Sequence, residues 1–203
     1  RRYRKAKADP ESIRRSIAEL ENAIEELAEQ RDLLEAIDDP ESFEEAVRDV
    51  TEWLNPERDF AARKGKDKEK TEKKGKKGKK ELPPHRVFER NGLTVLVGLS
   101  ARGNRFVTFK QARGDDLWLH AHELPGAHVV IRGARGREEL ETERRDVLEF
   151  AASLAAGHSK GKGSGSVWVD YTERRYVRPV PGTVALVTYT NPGTLRAVPR
   201  EEP

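Results

Sequence analysis

Hydrophobic residues in the first sixty positions recur with the spacing of an amphipathic helix. They follow each other at intervals of four, three, four, three and then seven, with Arg31 interrupting the series: Ile13, Ile17, Leu20, Ile24, Leu27 and Leu34. Such spacing is typical of a coiled-coil seam. It predicts a helix from Pro10 to Ile37, about 42 Å long at ~1.5 Å per residue.

The start signal Asp-Pro-Glu-Ser occurs twice, at Asp9–Ser12 and at Asp39–Ser42. Asp can cap a helix and Pro suits its first turn, so we expect a corner and a second, shorter helix after Asp39. Its apolar face is formed by Phe43, Val47, Val50 and Leu54. Residues 1–62 are therefore predicted to form a partial coiled-coil arm, either a purely structural hairpin or a spacer.

The pattern after residue 80 changes to short apolar runs separated by turns, which predicts an α+β domain over residues 81–203. Asn91-Gly92 indicates a hairpin between Val87–Glu89 and Leu93–Val97. Helices are expected at Asn104–Ala112 and Arg137–Ala156. Further strands of a mostly antiparallel sheet are expected at Leu117–His120, Ala127–Ile131, Val167–Tyr171, Tyr176–Arg178, Val184–Thr188 and Thr194–Val198.

A lysine-rich stretch, residues 63–80, separates the two parts. It carries eleven Lys or Arg and three acids, a net charge of +8, so the rest of the +3 chain is about −5 by subtraction. With no apolar groups it is expected to be disordered in isolation. It is either a solvated linker or a phosphate-binding arm, and the residues expected to contact RNA are Lys73, Lys74, Lys76 and Lys77.

Composition narrows the classes of protein. The chain has no cysteine, which excludes disulfides and thiol catalysis, and no apolar run of bilayer length. We expect a cytoplasmic protein without membrane association. The chain contains no Met and begins in helix-like sequence, so it is expected to be a piece of a longer protein.

Chemistry-bearing side chains concentrate between residues 108 and 132. His120, His122 and His128 allow a metal site, but buried, hydrogen-bonded histidines that fix the turn between two strands are favoured. Asp115 and Asp116 should point to opposite faces of an extended chain, which disfavours a shared acid–base role. Trp118 could stack on a base or pack in the core.

Basic and flexible positions suggest phosphate contacts. The segment Gly157–Gly165 combines glycines with His158, Ser159, Lys160 and Lys162, so it can mould to a phosphodiester backbone or serve as a mobile connector. Arg174 and Arg175 are flanked by Tyr171 and Tyr176, a mixture found on nucleic-acid surfaces and in ordinary strands. Arg113 completes the set of expected RNA contacts.

Several motifs then follow the order found in one family. They are Asn104, Asp116-Leu117-Trp118, His120, Pro125-Gly126, His128, Ser159-Lys160 and Val169-Asp170-Tyr171. From about Leu93 to Val198 the sequence closely resembles the NFACT-R domain of RqcH-type ribosome quality-control factors, also described as fibronectin-binding proteins. The helical region and the Lys-rich stretch before it agree with the order of regions in that family.

The resemblance implies binding to the large ribosomal subunit with a stalled nascent chain, and tRNA recruitment for C-terminal alanine tailing. We expect no cofactor and no enzymatic activity, and we expect the helical arm to pair with a preceding part of the protein. The family's N-terminal domain and helix-hairpin-helix region are not in this chain, so tailing by this piece alone is not expected. Gly114 departs from the charged or polar residue of many relatives. The alternative function is a protein-interaction scaffold acting through the coiled coil.

Overall fold

The computed structural model describes residues 10–53 and 82–200. Helix α1 spans Pro10–Glu35, 26 residues or about 39 Å at ~1.5 Å per residue. Helix α2 spans Pro40–Trp53, and the Asp39 carboxylate caps it by accepting the Ser42 N–H at 2.8 Å. The predicted long helix, corner and second helix are present. Residues 63–80, including the four lysines named above, lie outside the described residues.

Helix α1 is covered unevenly. Near its C-terminal end, Leu33 and the following Ile37 belong to the main core, as does Ala46 of α2. Farther back, the predicted seam residues are 44–67% exposed: Ile13, Ile17, Leu20, Ile24 and Leu27. Within the described part of the chain, most of the coiled-coil seam is therefore an uncovered apolar stripe.

A six-stranded antiparallel sheet forms the centre of the second part. Its strands are β1 (His85–Arg90), β2 (Leu93–Gly98), β3 (Leu117–Ala121), β4 (Val129–Arg132), β5 (Val167–Glu173) and β8 (Gly193–Ala197). Their order across the sheet is β1-β2-β4-β3-β5-β8. The predicted hairpin is confirmed: Asn91 and Gly92 have φ of 48° and 77°, as a tight two-residue turn requires. The predicted fold class, α+β with a mostly antiparallel sheet, is confirmed.

Helices α4 (Arg137–Thr142) and α5 (Arg145–Gly157) cover one face of the sheet. The single helix predicted over Arg137–Ala156 is wrong, because Arg144 leaves helical geometry at φ −125° and ψ 34°. Both Glu143 and Arg144 donate their N–H to the Glu139 carbonyl, which ends α4. Alternate β-strand residues and the small residues of α5 fill the main core on this face.

The opposite face of the sheet carries a smaller hydrophobic cluster, which lies under α3 (Ala101–Phe106). Helix α3 continues as a π-helical turn over Val107–Gln111. Helix α3 begins earlier than predicted because the Ser100 hydroxyl caps it, accepting the Gly103 N–H at 3.0 Å. Two short strands, β6 (Val177–Pro179) and β7 (Val187–Tyr189), pair with each other as a separate sheet. The strand predicted at Tyr176–Arg178 starts one residue later, after a 3₁₀ turn over Arg174–Tyr176.

None of the helices in the described ranges combines the length and the apolarity that a bilayer crossing needs.

Candidate nucleic-acid interface

The expected RNA contacts Arg113, Arg174 and Arg175 come together where β5 ends and β3 begins. The Arg174 N–H donates to the Asp116 carbonyl at 2.9 Å, and the Arg175 N–H donates to the Gly114 carbonyl at 3.0 Å. The buried Asp116 carboxylate accepts the Arg113 N–H at 2.7 Å and the Gly133 N–H at 3.3 Å. Asp116 thus caps its own turn, and the turn is tied to the 3₁₀ turn. We call Arg105, Arg113, Arg174, Arg175 and Arg178 the arginine surface.

Aromatic rings hold these guanidinium groups in place. The Arg174 guanidinium lies 4.8 Å from the centre of the Phe109 ring, and its Nε donates to the Thr108 carbonyl at 3.0 Å. The Arg105 guanidinium lies 5.9 Å from the same ring. Partial burial, followed by the charge of Arg178, lowers the pKa of Arg174 from its ordinary value, although an arginine stays protonated at neutral pH. Planar cations fixed against aromatic rings can meet both phosphates and bases.

Acidic side chains balance part of this charge. Arg175 pairs with Asp115 at 2.8 Å and also with Glu173, and its guanidinium lies 5.3 Å from the Tyr176 ring centre. Asp115 is exposed while Asp116 is buried, so the two carboxylates diverge as the sequence predicted. Sequence reasoning missed Arg105 and Phe109. Their i, i+4 spacing in a predicted helix is the signal that could have paired them.

The other expected contacts form a different site, beside α1. Lys160 is exposed and its ammonium lies 3.4 Å from Asp32, while the Lys162 ammonium lies 3.0 Å from Asp38. His158 and Ser159 are buried, so they point away from any bound backbone. The Ser159 hydroxyl donates to the Ala156 carbonyl at 2.8 Å and accepts the Gly161 N–H at 3.1 Å. The first half of the Gly/Ser/Lys segment is thereby a hydrogen-bonded turn.

The two basic sites lie at opposite ends of the β3–β5 pair. Leu117 pairs with Glu173 at the arginine surface, and Ala121 pairs with Val169 four residues later. At ~3.4 Å per residue, the two ends are about 14 Å apart along the strands. A single phosphate cannot reach both, whereas a polynucleotide can.

Trp118, His120 and His128 pack together on the sheet face that carries α3. Trp118 is fully buried, which removes it as a base-stacking platform. Its ring lies 5.7 Å from that of His120 and 5.1 Å from that of His128. Burial lowers the pKa of His120 to about 4 and that of His128 well below its ordinary value, so both imidazoles are neutral at pH 7. His128 is buried, and His120 is half-buried beside it.

The Asn104 amide ties the turn between β3 and β4 to α3. The Asn104 side chain accepts the His128 N–H at 2.9 Å and donates to the Gly126 carbonyl at 3.2 Å. His128 itself contacts the Thr108 hydroxyl at 2.9 Å. A Cβ on Gly126 would lie 2.8 Å from the Ser159 Cβ, so glycine is required there. The Pro125 carbonyl accepts the Lys160 N–H at 2.9 Å. This bond joins the turn to the segment Gly157–Gly165, which we call the lysine loop.

Asp170 is a buried carboxylate with three donors. It accepts hydrogen bonds from the Thr194 hydroxyl at 2.6 Å and from the Tyr189 hydroxyl at 2.7 Å, and His122 Nδ1 lies at 2.7 Å. Burial alone would raise the pKa of Asp170, but these bonds outweigh it and lower the pKa. The neighbouring Tyr171 is buried on the other face, where its hydroxyl donates to Glu141 at 2.7 Å.

Among residues 10–53 and 82–200, no group of three or more His, Asp or Glu side chains is arranged to hold a metal ion. The metal alternative raised by His120, His122 and His128 therefore has no geometric support in that part of the chain. His122 instead pairs with Asp170, and that hydrogen bond raises the pKa of the imidazole.

Known proteins resemble this chain in sequence. RqcH of Bacillus subtilis (strain 168), named an Rqc2 homolog, is 41% identical over 129 residues, which are 61% of this chain and 21% of that protein. RqcH of Streptococcus suis (strain 05ZYH33) is 37% identical over 126 residues, 61% of this chain and 22% of that protein. The chain thus spans about a fifth of the length of the curated relatives it matches. No protein-family model matches it.

A solved structure shares the fold. The C-terminal part of the fibronectin/fibrinogen-binding protein from Streptococcus suis aligns with a TM-score of 0.61 and 27% identity, covering 94% of this chain and 72% of that one. The molecule is thus an α+β domain preceded by a long helix, with the fold of that C-terminal part. The relatives confirm the resemblance drawn from the motifs: 61% of this chain is similar in sequence to proteins named RqcH, and 94% of it aligns with a structure of the NFACT-R-like fold.

Proposed function

We propose that this chain is an RNA- and ribosome-binding module of a cytoplasmic ribosome quality-control factor. In this proposal the module binds the large ribosomal subunit carrying a stalled nascent chain, and it supports tRNA-dependent alanine tailing by the longer protein. Homology to proteins named RqcH supports the general role. The proposed role is binding and not catalysis.

The arginine surface is the observation on which the proposal rests. Its Arg174 and Arg175 guanidinium groups are pre-positioned by the Phe109 and Tyr176 rings and, for Arg174, by a backbone carbonyl, so they have little ordering entropy left to lose on binding. Arginine forks of this kind bind phosphates bidentately and stack on unpaired bases. The nearby carboxylates of Asp115 and Glu173 repel anions that are held only by the general positive charge. A phosphate must therefore fit the positions of the guanidinium groups to bind.

The lysine loop is expected to contribute less. Replacing Lys160 and Lys162 by Ala should weaken binding to large ribosomal subunits by about threefold to tenfold and reduce the salt slope by ~1, since each lost phosphate contact removes ~0.7–0.9. The effect is limited because both ammonium groups already face Asp32 and Asp38. Binding is measured by sedimentation with purified subunits across a salt series. An unchanged affinity and slope would remove the loop from the interface.

Crosslinking tests the proposal as a whole. The chain is bound to large ribosomal subunits, crosslinked, and the contacted nucleotides are mapped. Crosslinks from the arginine surface to ribosomal RNA or tRNA are expected. Absence of ribosome binding even in dilute buffer would contradict the proposal.

The uncovered stripe on α1 favours a second candidate, a protein-interaction scaffold. Five apolar side chains exposed on one helix are typical of a seam whose partner helix belongs to another segment or chain. Replacing Leu20 and Ile24 by Lys separates the candidates. If the module acts through RNA, these changes leave the affinity for ribosomal subunits within about twofold. If it acts as a scaffold, they abolish the binding and changes at the arginine surface do not.

A further inference from the structure

A pocket of ≈ 320 Å³ lies between α1 and the face of the domain that carries the imidazoles. It takes no part in the proposed RNA contacts, since neither the arginine surface nor the lysine loop lines it. Its walls come from α1, the β3–β4 turn and strand β7 with the residue before it: Glu25, Ala28, Glu29, His120, Glu123, Leu124, Pro125, His128, Leu186, Val187 and Tyr189.

Charge around the pocket is negative. Glu25 and Glu29 line one side, and Glu123, which lies 3.9 Å from His122 Nε2, lines the other. Neither Glu25 nor Glu29 pairs with a basic side chain within the part of the chain that the structure describes. The neighbouring acids are already engaged: Glu26 accepts the Val184 and Ala185 N–H groups, and Asp32 meets Arg31 and Lys160. Such a rim repels phosphate and attracts a cation.

Glu29 shows how incompletely this charge is compensated. Burial, with the like charges of Glu25, Glu26 and Asp32, raises its pKa to about 7. A cation bound beside Glu29 would favour the ionised carboxylate and reverse that shift. The remaining titratable groups facing it across the pocket are His120, His128, Glu123 and Tyr189, and both imidazoles are neutral at pH 7 because burial lowers their pKa.

The rest of the lining suits a flexible chain with a planar polar end. Leu124, Pro125, Leu186 and Val187 supply apolar walls, against which an aliphatic stem can pack. His120 Nε2 is buried and has no hydrogen-bond partner among the described residues. A neutral imidazole has one ring nitrogen free to accept an N–H. Apolar walls, an imidazole nitrogen without a partner among the described residues, and two carboxylates together match an arginine side chain.

We propose that this pocket binds an arginine side chain of a basic polypeptide segment, with the guanidinium between Glu29 and Glu25 and the stem against Pro125 and Val187. The module then has two recognition surfaces of opposite charge, one for nucleic acid and one for protein. The inference goes beyond the proposed function and does not depend on it. The pocket could be tested even if the arginine surface bound no RNA.

The test is a titration of the intact 203-residue chain at pH 8 with N-acetyl-arginine methylamide, followed by NMR chemical shifts. The neutral isostere N-acetyl-citrulline methylamide and the nucleoside cytidine serve as comparison probes. The variants are Glu29→Gln and Glu25→Gln, and Glu21→Gln on the exposed part of α1 is the matched control. Thermal unfolding of every variant verifies the fold.

The arginine probe should saturate the pocket with a dissociation constant at least about tenfold lower than that of the citrulline probe. Glu29→Gln should weaken arginine binding by about tenfold, while Glu21→Gln leaves it unchanged. Binding by the parent should tighten from pH 6 to pH 8 as Glu29 ionises, a trend that Glu29→Gln should lose. Equal binding of arginine and citrulline, or equal affinity of the Glu29→Gln variant, overturns the proposal. Cytidine binding tighter than arginine binding also overturns it and assigns the pocket to a base.

Discussion

Replacing Arg174 and Arg175 together by Glu is expected to weaken binding to large ribosomal subunits by about a hundredfold at ~0.1 M salt, because two contacts of ~1 kcal/mol or more are lost and two repulsive charges are added. The slope of log affinity against log salt should fall by about 1.5, at ~0.7–0.9 per phosphate. Both quantities come from one sedimentation or fluorescence titration series.

A matched control changes the net charge of the protein by the same amount, but at another place on its surface. Arg14 and Arg15 are exposed near the start of α1. Reversing both gives the same change in charge away from the arginine surface. We expect this control to reduce affinity by no more than about threefold, because salt screens the long-range repulsion between these charges and the RNA. Equal losses in the two double variants would mean that net charge and not the arginine surface governs binding.

Arg174 also stabilises the fold, since it donates to the Thr108 carbonyl and covers the Phe109 ring. A milder double variant, Arg174→Gln with Arg175→Gln, is therefore measured beside the double variant to Glu. If the proposal holds, the milder pair gives an intermediate loss of affinity although the protein remains fully folded at the temperature of the binding assay. A loss of affinity that tracks the loss of stability would contradict a direct role of these side chains.

Local signals made much of the fold predictable. The hairpin at Asn91-Gly92 follows from two residues that tolerate positive φ, and the start of α2 follows from Asp39 and Pro40. These features depend on groups a few positions apart. The division of the predicted helix at Arg144 was not visible, because good helix formers continue through that position and only the packed structure shows the break.

The grouping of the basic residues required the strand order. Arg113 and Arg175 are 62 positions apart, and they meet because the β3–β5 register sets Leu117 against Glu173. The same register sends Lys160 and Lys162 to the other end of the sheet. Neither the meeting of the arginines nor the distant position of the lysines can be read from sequence separation or composition. The candidate RNA contacts could therefore be predicted from the sequence, but their division into two sites could not.

The burial of His158 and Ser159 shows a related limit. A run rich in glycine, serine and lysine is typical of an exposed, adaptable loop. Here the Ala127 N–H donates to the His158 carbonyl at 2.8 Å, and a β-bridge joins Gly126 to Ser159. The partner segment lies some thirty residues earlier in the chain, so no local pattern could reveal it. Gly126, Gly157 and Gly161 are needed because a Cβ at these positions would collide with neighbouring segments.

The Asp170 network links the sheet, β7 and the β3–β4 turn, and Asp170→Ala is expected to destabilise the domain by about 3 kcal/mol. The Thr194 and Tyr189 hydroxyls and the His122 imidazole would lose their shared acceptor, and each buried donor left unsatisfied costs ~1–3 kcal/mol. His122 and Thr194 are exposed, so water can replace their lost acceptor, and the sum stays near the low end. In thermal unfolding we expect the midpoint to fall by roughly 10 °C.

The pH dependence gives this prediction a second measurement. Because the folded pKa of Asp170 lies below its unfolded value, its contribution is present above the unfolded pKa and is lost as pH falls through the folded one. The difference in unfolding free energy between parent and Asp170→Ala should therefore shrink in acid. The raised pKa of His122 adds a contribution that is complete below the ordinary pKa of histidine and lost as pH rises through the folded pKa. Denaturant titrations from pH 3 to pH 9 should show the largest difference between these limits.

Asp115→Ala is the matched control, because Asp115 is also paired with a basic group but is exposed. Its removal should cost less than about 1 kcal/mol at any pH, as expected for a surface ion pair. Tyr189→Phe removes a single donor from Asp170 and should cost about 1 kcal/mol, leaving the acid limb in place. If Asp170→Ala proves no more destabilising than Asp115→Ala, the buried carboxylate does not hold these elements together, and packing around Trp118 must position β7 instead.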